Sequence, residues 1–192
     1  MADTSPAEVL AFWFSDRARP LWFVTNAAFD DEIRARFGAA VAAAAAGGFD
    51  RWAGDAEGAL TLVILLDQFS RNIWRGSPRA FAADAKARAI AGAAIDRGFD
   101  RRLPLDRRHF FYLPYEHSED AADQARSVFL FRRWAEDHGA AGREKALDQM
   151  TYVLRHQEIV QRFGRFPHRN EILGRESTAA EIEFVKEPKS SF

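Results

Sequence analysis

The chain has 192 residues, the size of one ordinary domain, and can bury roughly 70% of the surface its unfolded form exposes. Lys and Arg number 27 against 28 Asp and Glu, so a general binder of nucleic acid or membrane surfaces, which needs a basic excess, is excluded as the default. There are no cysteines, which excludes disulfides, thiolate metal sites and thiol nucleophiles.

The predicted elements follow from caps and spacing. Ser5, Pro6 and Glu8 open a short helix to about Phe14, with Ser5 as cap and Pro6 in the first turn. A second helix runs from about Asn26 to Ala46 and stops at Gly47-Gly48; Phe29, Ile33, Phe37 and Val41 step by four along its apolar face. Asp55 caps a third, from Ala56 to about Asn72, apolar nearly all round and so expected at the centre of the core. Ser77-Pro78 starts a helix to Arg97, with Phe81, Ala85, Ala89 and Ile95 inward and Gly98 as its stop. Pro104 opens another through His109–Leu113, which Pro114 interrupts. Helices over about Ser118–His138 and Arg143–Phe163 follow, the latter with Leu147, Met150, Val153, Leu154 and Ile159 inward and Gly164 as its stop. A capping box of Thr178 and Glu181 starts a small last helix, and 187–192 should fray.

This predicts one all-α domain over 1–192, with about seven to nine helices in stacked antiparallel hairpins and no sheet. The 35 alanines support it. A clean fixed-period repeat is not readable. The longest apolar run, Ala59–Leu66, is far short of the ~20 residues of a membrane helix. The first residues show no basic then apolar leader, so a cytoplasmic location is expected, without membrane contact.

Three segments place polar groups where the pattern expects burial. Asp67, Ser70, Arg71 and Asn72 end the greasiest helix, with Asp67 and Arg71 spaced i,i+4 to pair. Residues 115–123 carry Glu116, Glu119, Asp120 and Asp123 with His117 and no Lys or Arg, a local charge of −4. Residues 155–175 hold Arg155, Arg162, Arg165, Arg169 and Arg175 against two acids, a local charge of +3, with His156, His168 and Asn170 among them. The two blocks can neutralise each other, or leave arginine forks and a histidine for an oxyanion. A metal could take Glu116, His117, Asp120 and His156, but the Glu-His-x-Glu order is not the Glu-x-x-His of bundle metal sites, so no metal and no cofactor is expected. No serine stands in a nucleophile elbow, and Ser77 and Ser177 read as caps.

Asp67-Gln68-Phe69-Ser70-Arg71-Asn72, Leu113-Pro114-Tyr115-Glu116-His117-Ser118-Glu119-Asp120 and Arg162-Phe163-Gly164-Arg165-Phe166-Pro167-His168-Arg169-Asn170 resemble the signatures of a family of small bacterial proteins, a "domain of unknown function". The resemblance runs from about Val9 to Phe184 and implies an all-helical fold like that of tetratricopeptide-repeat proteins. It implies no activity and no catalytic residue.

Two functions from different classes follow from the residues. One is a helical domain binding a small anionic ligand or an acidic peptide through Arg162, Arg165 and Arg169, with Asp67, Arg71, Asn72, Glu119, His156 and Asn170 around the ligand. The other is a hydrolase acting on an anionic substrate, with Glu116 or His117 as general base, His168 as a further catalytic candidate and Arg165 or Arg169 clamping the anion.

Overall fold

A computed structural model describes residues 4–139, 142–188 and 190–191. The expectations for residues 1–3, 189 and 192 lie outside the described residues. The regular structure among the described residues is helical, as the alanine content and caps require.

The helices in chain order are α1 (Pro6–Trp13), α2 (Ala27–Ala45), α3 (Ala56–Val63), α4 (Ser70–Ile73), α5 (Asp84–Asp96), α6 (Leu105–Arg108), α7 (Leu113–Glu116), α8 (Ala121–Asp137), α9 (Arg143–Phe163) and α10 (Ala179–Phe184). The caps read from the sequence form. Ser5 accepts from the Glu8 amide, Asn26 from Phe29, Asp55 from Gly58, and Thr178 and Glu181 make a reciprocal capping box. Gly164 ends α9 with φ +70°, a left-handed conformation that favours glycine.

The chain forms two compact units. The first holds residues 1–75 and 79–114, the second 76–78 and 115–192. In the first unit α3 packs against α1 and α5, and α2 against α4. Its core is aromatic: Phe12, Trp13, Phe29, Phe37, Phe69 and Phe110 meet ring to ring. Residues 58–70 are buried without interruption, so the helix expected at the centre is there. Between α3 and α4 it widens into a π-helical stretch, Ile64–Phe69, which the composition does not signal. In the second unit α8 and α9 pack as a hairpin. Trp134, Phe131, Val153, Ile159, Val160, Phe166 and Phe184 form its buried apolar residues.

Four expectations are corrected. The helix expected from Ser77 starts as a tight 3-10 turn, Pro78–Phe81, and becomes α5 only at Asp84; Ala85 and Ala89 are exposed, and Ala87, Ala91, Gly92 and Ala94 face inward. A run of alanines carries little amphipathic signal, so its register was misread. On α9, Leu147 and Leu154 are exposed while Val153, His156 and Val160 are buried, because polar His156 takes a core position. The helix expected from Pro104 through Leu113 is broken into α6, a 3-10 turn over His109–Phe111 and α7; the break falls at Tyr112, and Pro114 occupies the first turn of α7, where its missing N–H costs nothing. In the expected fraying tail, Ser190 is buried and its Oγ donates to the Val185 carbonyl at 2.9 Å.

Candidate functional site

In the first unit the π-helical turn carries Asp67 and Gln68 into the core, and Asp67 is fully buried. Gln68 Nε2 donates to Asp67 Oδ2 at 2.5 Å, and Arg71 Nη1 lies 3.3 Å from Asp67 Oδ1. The Arg71 fork closes on Asp84 with two bonds of 2.9 and 3.0 Å. Burial opposes the Arg71 charge, and the Asp67 and Asp84 carboxylates outweigh it, so the guanidinium pKa is raised. Asn72 donates to Asp30 at 2.7 Å, and Arg75 grips the same carboxylate from the other side. The sequence-predicted Asp67, Arg71 and Asn72 thus form two charge clusters of this unit, completed by Asp84 and Asp30, which spacing along the chain could not pair.

The other candidates gather in the second unit. Here the acidic segment and the basic loop do meet. Arg175 makes a bidentate pair with Glu119 at 2.7 and 2.9 Å, and Glu119 also accepts from the Phe166 amide at 2.8 Å. Burial would raise the Glu119 pKa; Arg175 and the Phe166 amide together hold it below the usual carboxylate range. Asn170 bridges Arg175 and Ser177 at 3.0 Å each. Arg165 closes its fork on Glu181 at 2.6 and 2.8 Å, which holds that carboxyl down at about 2, against a partial opposing effect of burial. Glu181 is at once the reciprocal partner of the Thr178 cap, so the cap and the ion pair share one side chain.

His156 projects from α9, where Nδ1 lies 2.9 Å from the Tyr152 carbonyl and 3.1 Å from Glu116 Oε1. The second distance is that of an ion pair. Burial, however, pushes the His156 pKa down to about 3, with His117, Arg169 and His168 adding to the effect and the Tyr152 hydrogen bond opposing it. The ring is therefore neutral near pH 7, its proton on Nδ1 where two acceptors face it. The His117 ring is centred 6.4 Å from that of His156, and Phe166 stands edge-on to His156 at 5.5 Å. Arg169 covers the Phe166 ring at 4.4 Å and donates to the His117 carbonyl at 3.0 Å. His168, also against Phe166, is pushed down to about 4 by burial first and the Arg169 charge second, while a hydrogen bond to the Ser190 backbone opposes.

Glu116, His117, His156, His168 and Arg169 therefore share one neighbourhood around Phe166. His117 and His168 are half-buried, whereas Glu116, His156 and Arg169 are buried. Arg162 is elsewhere: it is exposed and stacks on Phe163 and Phe184 at 4.7 and 5.5 Å. The site residues not singled out from the sequence are Arg175, whose guanidinium pairs with Glu119, and Glu181, whose carboxylate takes the Arg165 fork. The surplus of positive charge at 155–175 was the available signal for Arg175; Glu181 read only as a cap. Among the described residues no group of His, Asp and Glu is arranged to hold a metal ion.

The comparisons agree with the helical architecture. A solved structure of a protein of unknown function, ATU0120 from Agrobacterium tumefaciens, is 42% identical, covers 94% of this chain and 96% of its own, and superposes with a TM-score of 0.80. No curated protein matches the chain. The family model described as "Bacterial protein of unknown function (DUF924)" matches residues 9–189, and the chain belongs to that family.

Proposed function

We propose that the chain is a cytoplasmic helical binding domain of the tetratricopeptide-like kind, which takes a small anionic ligand at Arg169 between His117 and His168. The observation that carries this reading is the convergence on Phe166 of the buried Arg169 guanidinium with His156 and His168, both held neutral near pH 7, while half-buried His117 lies beside His156. Imidazole N–H groups and a guanidinium fork are donors suited to an anion. Arg165 is paired bidentately with Glu181 and Arg175 with Glu119, which supports taking Arg169 rather than either of these as the anion clamp. An acidic peptide would instead meet Arg162 on the surface. No helix among the described residues is long and apolar enough to cross a membrane, which is compatible with the cytoplasmic location.

The test is a thermal-shift screen with phosphate, sugar phosphates, nucleotides and small carboxylates, in wild type, Arg169→Lys and Arg162→Ala. A ligand at a hundred times its Kd stabilises by about 2.7 kcal/mol, which for this chain length raises Tm by about 5–10 °C. Arg169→Lys keeps the charge and removes the fork, and should weaken binding by about tenfold or more; Arg162→Ala should leave it unchanged. Loss in Arg162→Ala alone would favour the acidic peptide, and no shift with any anion would refute the proposal.

A second reading is favoured by one contact. Glu116 on His156 Nδ1 is how a carboxyl orients a histidine, as in hydrolases with a carboxyl–His pair. In that reading Glu116 or His117 acts as general base on an anionic substrate held by Arg169. Turnover of phosphate or carboxylate esters that disappears in His156→Gln and His117→Gln, with the fold retained, would establish it over simple binding.

A further inference from the structure

Gln124 and Ser127 stand one turn apart on the buried face of α8, and both are fully buried. Gln124 Nε2 donates to the carbonyl oxygens of Glu116 and Ser118 at 2.6 Å each, with the Tyr115 carbonyl at 3.4 Å. Arg169 Nη1 donates to the carbonyl of the residue between them, His117, at 3.0 Å. One amide and one guanidinium thus hold three consecutive carbonyls. Gln124 and Arg169 act on the same three-residue stretch, 116–118. The three acceptors fix the amide's orientation, with nitrogen toward the 115–118 segment and oxygen turned away from it. Among the described residues, neither Gln124 Oε1 nor Ser127 Oγ has a hydrogen-bond partner. Buried polar atoms are nearly always satisfied by protein, ordered water or ligand.

We infer that Gln124 Oε1 and Ser127 Oγ receive an O–H or N–H donor, and that the ligand is a small acid carrying a hydroxyl or amino group beside its carboxylate. The inference rests on the anion reading above. The carboxylate lies on the Arg169 and histidine side, and the donor group reaches the Gln124 oxygen and the Ser127 hydroxyl. An ordered water offers the same donor chemistry, so the two sources are separated by experiment.

Propionate, lactate and alanine share a three-carbon acid frame and differ at C2, which bears hydrogen, hydroxyl or ammonium. Their Kd values are measured at fixed pH and ionic strength on the full chain, in wild type and Ser127→Ala. Lactate or alanine should bind wild type at least about 5-fold more tightly than propionate, the ratio given by one net hydrogen bond. Ser127→Ala should bring that ratio to parity and leave the propionate Kd unchanged. Equal affinity of all three for wild type would mean that water alone occupies the position; it would overturn this inference and leave the anion reading standing. No affinity for any of the three would overturn the inference, and failure of phosphates and nucleotides as well would remove the anion reading with it. The wild-type comparison decides even if Ser127→Ala loses its helical circular dichroism.

Discussion

Asp67 is the residue on which burial and charge meet most sharply. It is fully buried, and its carboxylate is balanced by Arg71 at 3.3 Å and Gln68 at 2.5 Å. Asp67→Ala strips Gln68 of its buried acceptor and Arg71 of one of its two carboxylates, Asp84 remaining, so it should lower unfolding stability by about 1–3 kcal/mol in a urea titration. The contrast is Glu158, exposed beside Arg155 on α9: Glu158→Ala should cost under about 1 kcal/mol. An Asp67→Ala loss no larger than that of Glu158→Ala would mean that the buried pair contributes little. The i,i+4 spacing made the Asp67–Arg71 pair legible in the sequence. Asp84, which takes both arms of the Arg71 fork, was not legible as its partner, because it arrives from another helix. The same holds for Glu181 on Arg165: a side chain that explains itself as a helix cap gives no sign of a second role.

At the scale of elements, close approach and capping decide more than composition. A Cβ on Gly58, in the first turn of α3, would fall 2.1 Å from the Trp52 carbonyl oxygen, whereas one on Gly38 in α2 meets nothing within 4 Å. Gly58→Ala should therefore cost about 1–3 kcal/mol, and Gly38→Ala should gain about 0.5–1 kcal/mol by lowering the entropy of the unfolded chain. Thermal melts of both variants check the pair, and a shift of the same sign for the two would contradict the geometry. Thr178→Ala removes half of the α10 capping box and should cost about 1 kcal/mol by the same measurement. Caps were the best-read feature of the sequence because a cap is local: a hydroxyl or carboxylate and an amide three residues on. Register was read less well where side chains are small or ambiguous. The alanines of α5 mark no face, and the leucines of α9 marked the wrong one because the buried face of that helix runs through Val153, His156 and Val160, a polar residue among them. The π-helical turn at Ile64–Phe69 was invisible because an apolar run reads alike in either helical geometry.

For the whole molecule, a net charge of −1 conceals an acidic block at 115–123 and a basic block at 155–175. The second unit brings parts of them together, Glu119 with Arg175 above all. That the two blocks could neutralise each other was legible from local charge, but the choice of Arg175 as the partner of Glu119 was not. Its consequence is acid sensitivity. His156 and His168 titrate near 3 and 4 in the fold against 6.5 in the unfolded chain, so the unfolded state takes up protons first. Their contribution to stability is complete above about pH 6.5 and is lost as pH falls toward 4 and 3. Glu181, near 2 in the fold against 4.5, acts with the same sign at lower pH, from about 4.5 down toward 2. Urea midpoints should therefore fall progressively below about pH 6.5, and His168→Asn should flatten the upper part of that slope. A midpoint independent of pH between 6.5 and 4.5 would mean that the two rings are not held neutral by the fold.

In the proposed function Arg169, His117 and His168 form the seat of an anion. The ring nitrogens of His117 and His168, followed by proton–nitrogen correlation NMR while inorganic phosphate or propionate is added at constant pH, report on it most directly. Both rings should show saturable shifts that need about tenfold more anion in Arg169→Lys, while His138, at the far end of α8, stays unmoved. Rings that do not respond to either anion, or that respond equally in Arg169→Lys, would contradict it.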